Sequence, residues 1–177
     1  MSKNPSGAAP PPHVFEPEFI DGVREIFERR ILFNALLGLQ ITAISPEQVT
    51  AQIAMRPDLI GHFAHNRIHG GVISAGLDAM GGLAVMAAIG ARHLDEPVLA
   101  RLHRFAKLGT IDLRIDYLRP GIGERFELHA EVLRLGSRVA STRMGFHAAD
   151  GKLLATGAAA YIAVSYTHLT LPTTPYV

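Results

Sequence analysis

Asp78 is the only charged residue between Gly70 and Ala91, and its neighbours Gly76, Leu77, Ala79 and Met80 offer it no partner. A carboxylate in apolar surroundings is costly unless it is paired or put to use. Put to use, it attacks a carbonyl directly or takes a proton from a water that does, and the sequence leaves both open. The plainer alternative is a partly exposed helix position bonded to a neighbouring strand; the lack of a local partner favours the catalytic role. Gly70 and Gly71 open the same segment, directly behind His69. If a helix starts there, its first backbone N–H groups are unpaired, and two missing side chains let a carbonyl oxygen approach them as it gains negative charge. A flexible helix start, where glycine is common anyway, is the reading without chemistry. His69 is expected to fix the turn by hydrogen bonding rather than to move a proton. With His62 and His65 it could also line one helical face as a metal site, but the glycine pair after His69 and the missing carboxylate pattern count against this, and no metal is expected.

Gly71 and Asp78 are seven residues apart, roughly 10 Å of rise on one helix, too far for both to act on one carbonyl. The working pair must then come from two subunits, which makes dimerisation a condition of activity.

The elements that would hold these groups are legible in the hydrophobic spacing. From Glu16 to Leu37, apolar Phe19, Ile20, Val23, Ile26, Phe27, Ile31 and Leu32 recur at three and four residues, which predicts one amphipathic helix. After Gly38 the period drops to two, giving a strand at Leu39–Ala43, a Ser45-Pro46-Glu47 turn and a strand at Val49–Ile53. A polar, His-rich loop leads to the apolar helix at Gly70. Ala91 to Leu108 has no strand period and contains Pro97; it is expected to be a loop with a helical turn or two that acts as a lid. Four strands follow: Thr110–Tyr117, Phe126–Val132, Val139–Ala148 and, after the Asp150-Gly151 hairpin signal, Leu153–Val164. One wholly apolar helix followed by four strands with a polar face predicts an α+β fold, an antiparallel sheet curled around that helix. Gly76, Ala79, Gly82, Ala84, Ala87 and Ala88 let helix and sheet approach closely.

Composition narrows the function further. The 177 residues are 48% hydrophobic and 19% charged, which fits one globular domain. Seventeen Lys and Arg against sixteen Asp and Glu leave a formal charge of +1, with no broad footprint for nucleic acid or an anionic membrane. The absence of cysteine excludes disulfides, thiolate metal sites and cysteine nucleophiles. Gly70 to Ala91 is long enough to span a bilayer, but its glycines, its lack of aromatic anchors and a central Asp costing about 2.5–3.5 kcal/mol favour a helix buried in protein. Met1 to Pro12 lacks the apolar core of a secretory signal, so residues 1–15 are expected to be a disordered lead and the protein cytoplasmic.

The run from His69-Gly70-Gly71 to Asp78, followed by Gly109-Thr110-Ile111-Asp112-Leu113-Arg114-Ile115-Asp116-Tyr117-Leu118-Arg119-Pro120-Gly121, resembles the hotdog-fold acyl-CoA thioesterases of the phenylacetate-pathway type, most closely their bacterial medium- and long-chain acyl-CoA branch. The resemblance covers about Phe19 to Val164. It implies a six-stranded antiparallel sheet wrapped around a long central helix over residues 16–164, with two subunits joined edge to edge, as a homodimer or a dimer of dimers. It implies hydrolysis of acyl-CoA thioesters at the subunit interface with no metal or organic cofactor. Asp78, Gly71, His69 and Thr110 would then be catalytic residues, Thr110 orienting the attacking water. A Thr at a strand start is otherwise simply a β-former. Gly70, His62 and Asn66 would bind substrate, His62 standing where relatives carry Asn and Asn66 being the nearest Asn. Arg119 and Arg138 are candidates for the CoA phosphates, Arg134 standing beside them as another strand-end cation, though solvated strand-end charges explain such arginines equally. Met80, Met86 and Phe63 would line the acyl tunnel or else be core.

Residues 165–177 run past the family's usual end without a core pattern and read as a gene-model artefact or a disordered tail. Two other functions compete. A hotdog enoyl-CoA hydratase would need an Asp and a His in the loop before the helix, for which Asp58 and His62 offer themselves. A non-catalytic acyl-CoA-binding protein would need neither.

Overall fold

The computed structural model describes residues 15–163; the expected lead, apart from Phe15, and the expected tail lie outside the described residues. Phe15 belongs to the core, 3% exposed with its ring 4.8 Å from that of Phe19.

The helix expected over Glu16–Leu37 is three pieces. Helix α1 (Pro17–Arg24) starts on a proline, whose missing N–H costs nothing at that position. It runs into a π-helical turn, Glu25–Arg30, in which the Ile31 N–H reaches Ile26 O at 3.0 Å. That wide turn frees the Phe27 carbonyl, and the buried Asn34 takes it with its Nδ2 at 3.0 Å. Ile31 then leaves helical geometry, and α2 (Leu32–Leu37) ends on Gly38 at φ +71°, a left-handed cap that glycine adopts without strain. A periodic apolar pattern survives such a break, which is why spacing alone reads the segment as continuous.

Strands β1 (Leu39–Ile44) and β2 (Val49–Ala54) form a hairpin whose Ser45 hydroxyl and Gln48 backbone bond each other at 3.0 and 3.1 Å. The His-rich loop is more ordered than expected. It contains a small ribbon, β3 (Ile60–His62) with β4 (Arg67–Ile68), closed by a 3-10 turn at Phe63–His65. Helix α3 (Gly70–Arg92) follows, then α4 (Val98–His103) and a 3-10 turn at Arg104–Lys107. The last four strands are β5 (Leu108–Tyr117), β6 (Arg125–Leu135), β7 (Val139–Ala148) and β8 (Leu153–Ala163). The main sheet runs β1-β2-β6-β7-β8-β5, antiparallel at every pair.

Helix α3 lies against this sheet, as the hotdog arrangement requires. Leu77, Met80, Leu83, Val85 and Met86 are at most 1% exposed and belong to one core with Phe126, Leu128 and Phe146. Each such side chain contributes about 1.5–3 kcal/mol by leaving water. Close approach is needed at Gly76, where a Cβ would stand 2.8 Å from Leu128 Cδ2 and 3.3 Å from Ile53 Cδ1. Helix α3 is the only described helix long and apolar enough to cross a membrane, and 72% of that apolar stretch is buried inside the protein.

The segment expected as a lid is pinned. The Arg101 guanidinium on α4 is buried, donates to Glu16 at 2.6 Å and sits 4.8 Å above the Phe19 ring. This ion pair and cation–π contact tie α4 to the start of α1, so the segment is a wall rather than a flap.

Candidate active site

Asp78 has the partners that its sequence neighbours withhold. Thr110, on β5, donates its hydroxyl to Oδ1 at 2.9 Å. Tyr161, on β8, donates to the Asp78 carbonyl at 2.9 Å and stands 3.1 Å from Oδ1. The two come together because Thr110 and Tyr161 are cross-strand partners, next to an extra residue in β5 at Ile111 that breaks the ladder. Tyr161 is 2% exposed, and burial together with the adjacent Asp78 carboxylate pushes its hydroxyl far above the usual phenol value. It therefore stays protonated and acts as a fixed donor. Its ring occupies the space that a Cβ at Gly81 would need. With both donors on Oδ1, Oδ2 takes no hydrogen bond among the described residues. Asp78 borders a mostly apolar cavity of about 270 Å³ walled by Phe27, Ile31, Phe33, Phe105 and Leu108. A half-buried carboxylate with one oxygen held and one free is equipped to attack a carbonyl or to take a proton.

The start of α3 is organised by side chains as well. His69 is the N-cap: its Nδ1 accepts from the Gly71 N–H at 2.8 Å, which requires the ring proton on Nε2. The N–H groups of Val72 and Ile73 turn back to the His69 carbonyl at 3.0 and 3.3 Å. The Gly70 N–H takes no partner among the described residues, so it, rather than Gly71, is the free donor of this turn. The Gly70 carbonyl accepts from the Ser74 hydroxyl at 3.0 Å and from Tyr117 at 2.9 Å, and those two hydroxyls are 2.5 Å apart.

These two halves stand apart within one chain. Gly70 and Asp78 are eight residues apart on α3, about 12 Å of rise. Their strand partners, Tyr117 and Thr110, are at opposite ends of β5, about 23 Å apart along the strand. Strand β5 is the last strand of the sheet, and its outer edge pairs with nothing among the described residues.

The other residues singled out by sequence are more scattered. His62 is exposed on the ribbon, its ring stacked 4.9 Å from His65 and 6.0 Å from Phe63; Asn66 makes the left-handed turn at φ +48°. Asp58 leans toward Arg56 at 3.7 Å, with no hydrogen bond to His62, so the pair a hydratase would need is not assembled. Arg119 donates to the Leu153 carbonyl at 2.8 Å. Arg138 borders a larger cleft, about 610 Å³, with Arg92, His93 and Ser137 at the far end of α3. The β5–β8 ladder pairs Tyr117 with Ala155 and Leu108 with Ala163, which puts Arg119 and Arg138 at opposite ends. One chain cannot bring both to one phosphate group. Of the residues expected to line the acyl tunnel or else be core, Met80 and Met86 are core, 0% and 1% exposed, and Phe63 is not core, 92% exposed at the ribbon's tip. Tyr161 is the residue that spacing misses; its signal is a lone polar atom on the inward-facing period of an Ala- and Gly-rich strand.

The family model of the Thioesterase superfamily matches residues 65–155, from the end of the ribbon's turn into β8. The medium/long-chain acyl-CoA thioesterase YigI of Escherichia coli K12 is 36% identical over 142 residues, covering 79% of this chain and 90% of that protein. The protein of the same name from Salmonella typhimurium is 38% identical over 144 residues, with the same coverage. Among solved structures, a thioesterase-superfamily-related protein of Shewanella oneidensis aligns with TM-score 0.77 at 36% identity, over 84% of this chain and 99% of that one. A thioesterase family protein of Silicibacter pomeroyi aligns with TM-score 0.65 at 24% identity, over 82% and 98%, and speaks for the fold alone. With its central helix, its six-stranded sheet and these relatives, the chain belongs to the thioesterase superfamily.

Proposed function

We propose that the protein hydrolyses acyl-CoA thioesters to free acid and CoA, at a site assembled from two subunits. The observation that carries this reading is the Asp78 carboxylate, held on one oxygen by Thr110 and Tyr161 and without a hydrogen bond on the other among the described residues, at the edge of an apolar cavity. Hydrolysis adds water across the C–S bond. Asp78 takes the proton of an attacking water, or adds to the carbonyl itself and is released by water in a second step; in either route the thiolate leaves and is protonated. The oxyanion needs a donor, and the unpartnered Gly70 N–H at the start of α3 is suited to it; the Gly71 N–H serves only if His69 turns aside.

The dimer reading rests on the two ends of β5. Antiparallel pairing of β5 with β5 of a second copy, about a two-fold axis near Leu113, brings the Tyr117 end of one strand to the Thr110 end of the other. Gly70 of the partner subunit then approaches Asp78, which neither chain achieves alone. A medium- to long-chain acyl group suits the apolar walls of the cavity, and the curated relatives carry that preference in their names. Neither route, through a carboxylate and a backbone N–H, calls on a metal. The test is thiol release from acyl-CoAs of increasing chain length, with and without chelator. CoA release from medium and long chains, unaffected by chelation, is the expected result. Conversion of an enoyl-CoA to its 3-hydroxy product without thiol release would select the hydratase, and binding without turnover a non-catalytic protein.

A further inference from the structure

We propose that Phe63 of one subunit closes the apolar cavity of the other, so that selection for acyl chain length is made across the subunit interface. This rests on the two-subunit site above and adds a residue to it. Phe63 is 92% exposed, the most exposed large apolar side chain among the described residues, yet its ribbon is anchored at the base. The base of its ribbon is pinned by the His69 N–H on the Leu59 carbonyl at 2.8 Å and the Ile68 N–H on the Gly121 carbonyl at 2.9 Å, with Leu59 and Ile68 both buried. At the tip, the His62 ring stacks on Phe63 from one side. A large apolar ring exposed on an anchored base is available to a second copy of the chain.

A matching surface lies at the other end of β5. Helix α2 exposes Leu32 at 79%, Phe33 at 57% and Leu36 at 62%, and Phe33 is also a wall of the cavity beside Asp78. The ribbon joins directly to Gly70, which Tyr117 ties to the far end of β5, while the cavity mouth adjoins Gly109 and Thr110 at its near end. The strand pairing that delivers Gly70 of the partner subunit to Asp78 therefore delivers the partner's ribbon to the mouth beside Phe33. The occupant is a second copy of this chain, and both patches are covered by the same two-fold operation.

The absence of cysteine makes the arrangement directly testable. Differently tagged chains carrying Phe63→Cys and Phe33→Cys are co-expressed and treated with a short bis-maleimide; Asp112→Cys, near the middle of β5, is treated alone as the marker of strand pairing. The expected result is a species carrying both tags from the mixed pair and a self-linked Asp112→Cys dimer. Self-linking at Asp112→Cys without a Phe63–Phe33 link overturns the proposal and leaves the two-subunit site standing; failure of both overturns the strand pairing as well. In kinetics, Phe63→Ala should raise KM for a long-chain acyl-CoA about tenfold with little change in kcat or in short-chain turnover. An equal effect on all chain lengths, or none, overturns the proposal, whereas a wild-type protein that releases no CoA from any chain overturns the reading beneath it.

Discussion

The Thr110 hydroxyl donates to Asp78 Oδ1 at 2.9 Å, across the gap between β5 and α3, and Tyr161 approaches the same oxygen at 3.1 Å from β8. A single acid on an apolar helix is thus oriented by two hydroxyls from strands that are neighbours in the sheet and distant in sequence. Its other oxygen takes no hydrogen bond among the described residues.

Asp78→Asn should lower kcat about a hundredfold or more, the scale of losing a proton-transfer group or nucleophile. Thermal stability should be unchanged or higher, since the amide keeps the shape and removes a half-buried charge. Activity within a few-fold of wild type, measured by thiol release, would make Asp78 structural.

Thr110→Val should lower kcat about tenfold while Thr110→Ser retains most of it, because only the hydroxyl is needed to fix Oδ1. Comparable losses in both variants would point to strand packing instead.

Tyr161→Phe removes the donor to the Asp78 carbonyl and to Oδ1 and should destabilise the fold by about 1–2 kcal/mol, read from the urea midpoint. The ring still fills the space beside Gly81, so the loss should fall on hydrogen bonding and kcat rather than on packing.

His147, on the outer face of β7, should make stability depend on pH. Burial chiefly, and then the His129 ring 4.7 Å away, hold it below the usual histidine value of 6.5, and its buried Nδ1 has no hydrogen-bond partner among the described residues. The unfolded chain then binds the proton more readily, so its stabilising effect is complete above pH 6.5 and is lost as pH falls from there toward the lower folded value. His147→Gln should flatten the slope of stability against pH in that window relative to wild type; an unchanged slope would assign it to other groups.

Much of this was legible in residue order. The six strands of the main sheet and the apolar helix at Gly70 follow from period-two and all-apolar patterns, and Asp78 stood out because nothing beside it could neutralise it. The break at Ile31 was not, because it depends on Asn34 taking the Phe27 carbonyl, a bond between residues whose spacing still fits a helix. Nor was the burial of the methionines, since Met80 sits two residues from the half-buried Asp78 and only packing decides that it is core. Tyr161 was hidden for the same reason as the cavity walls: its meaning lies in a cross-strand pairing with Thr110 that no local pattern announces. The N-terminal turn of α3 was half legible, with the glycines visible and the His69 cap that engages Gly71 rather than Gly70 visible only in three dimensions.

The shared site is tested most directly by complementation between Asp78→Asn and Gly70→Pro. Proline at the first helical position removes the Gly70 N–H, which has no partner among the described residues, is well tolerated there, and follows a residue already extended at φ −66°, ψ 136°. A Cβ at Gly70 would lie 3.4 Å from the nearest Tyr117 atom, an ordinary contact, so the fold should survive. Each variant alone should be inactive as a homodimer. In a heterodimer isolated by two tags, one site carries both lesions and the other neither, so about half the wild-type activity per dimer should return. No recovery in a heterodimer that folds and dimerises normally would contradict a site built from two chains.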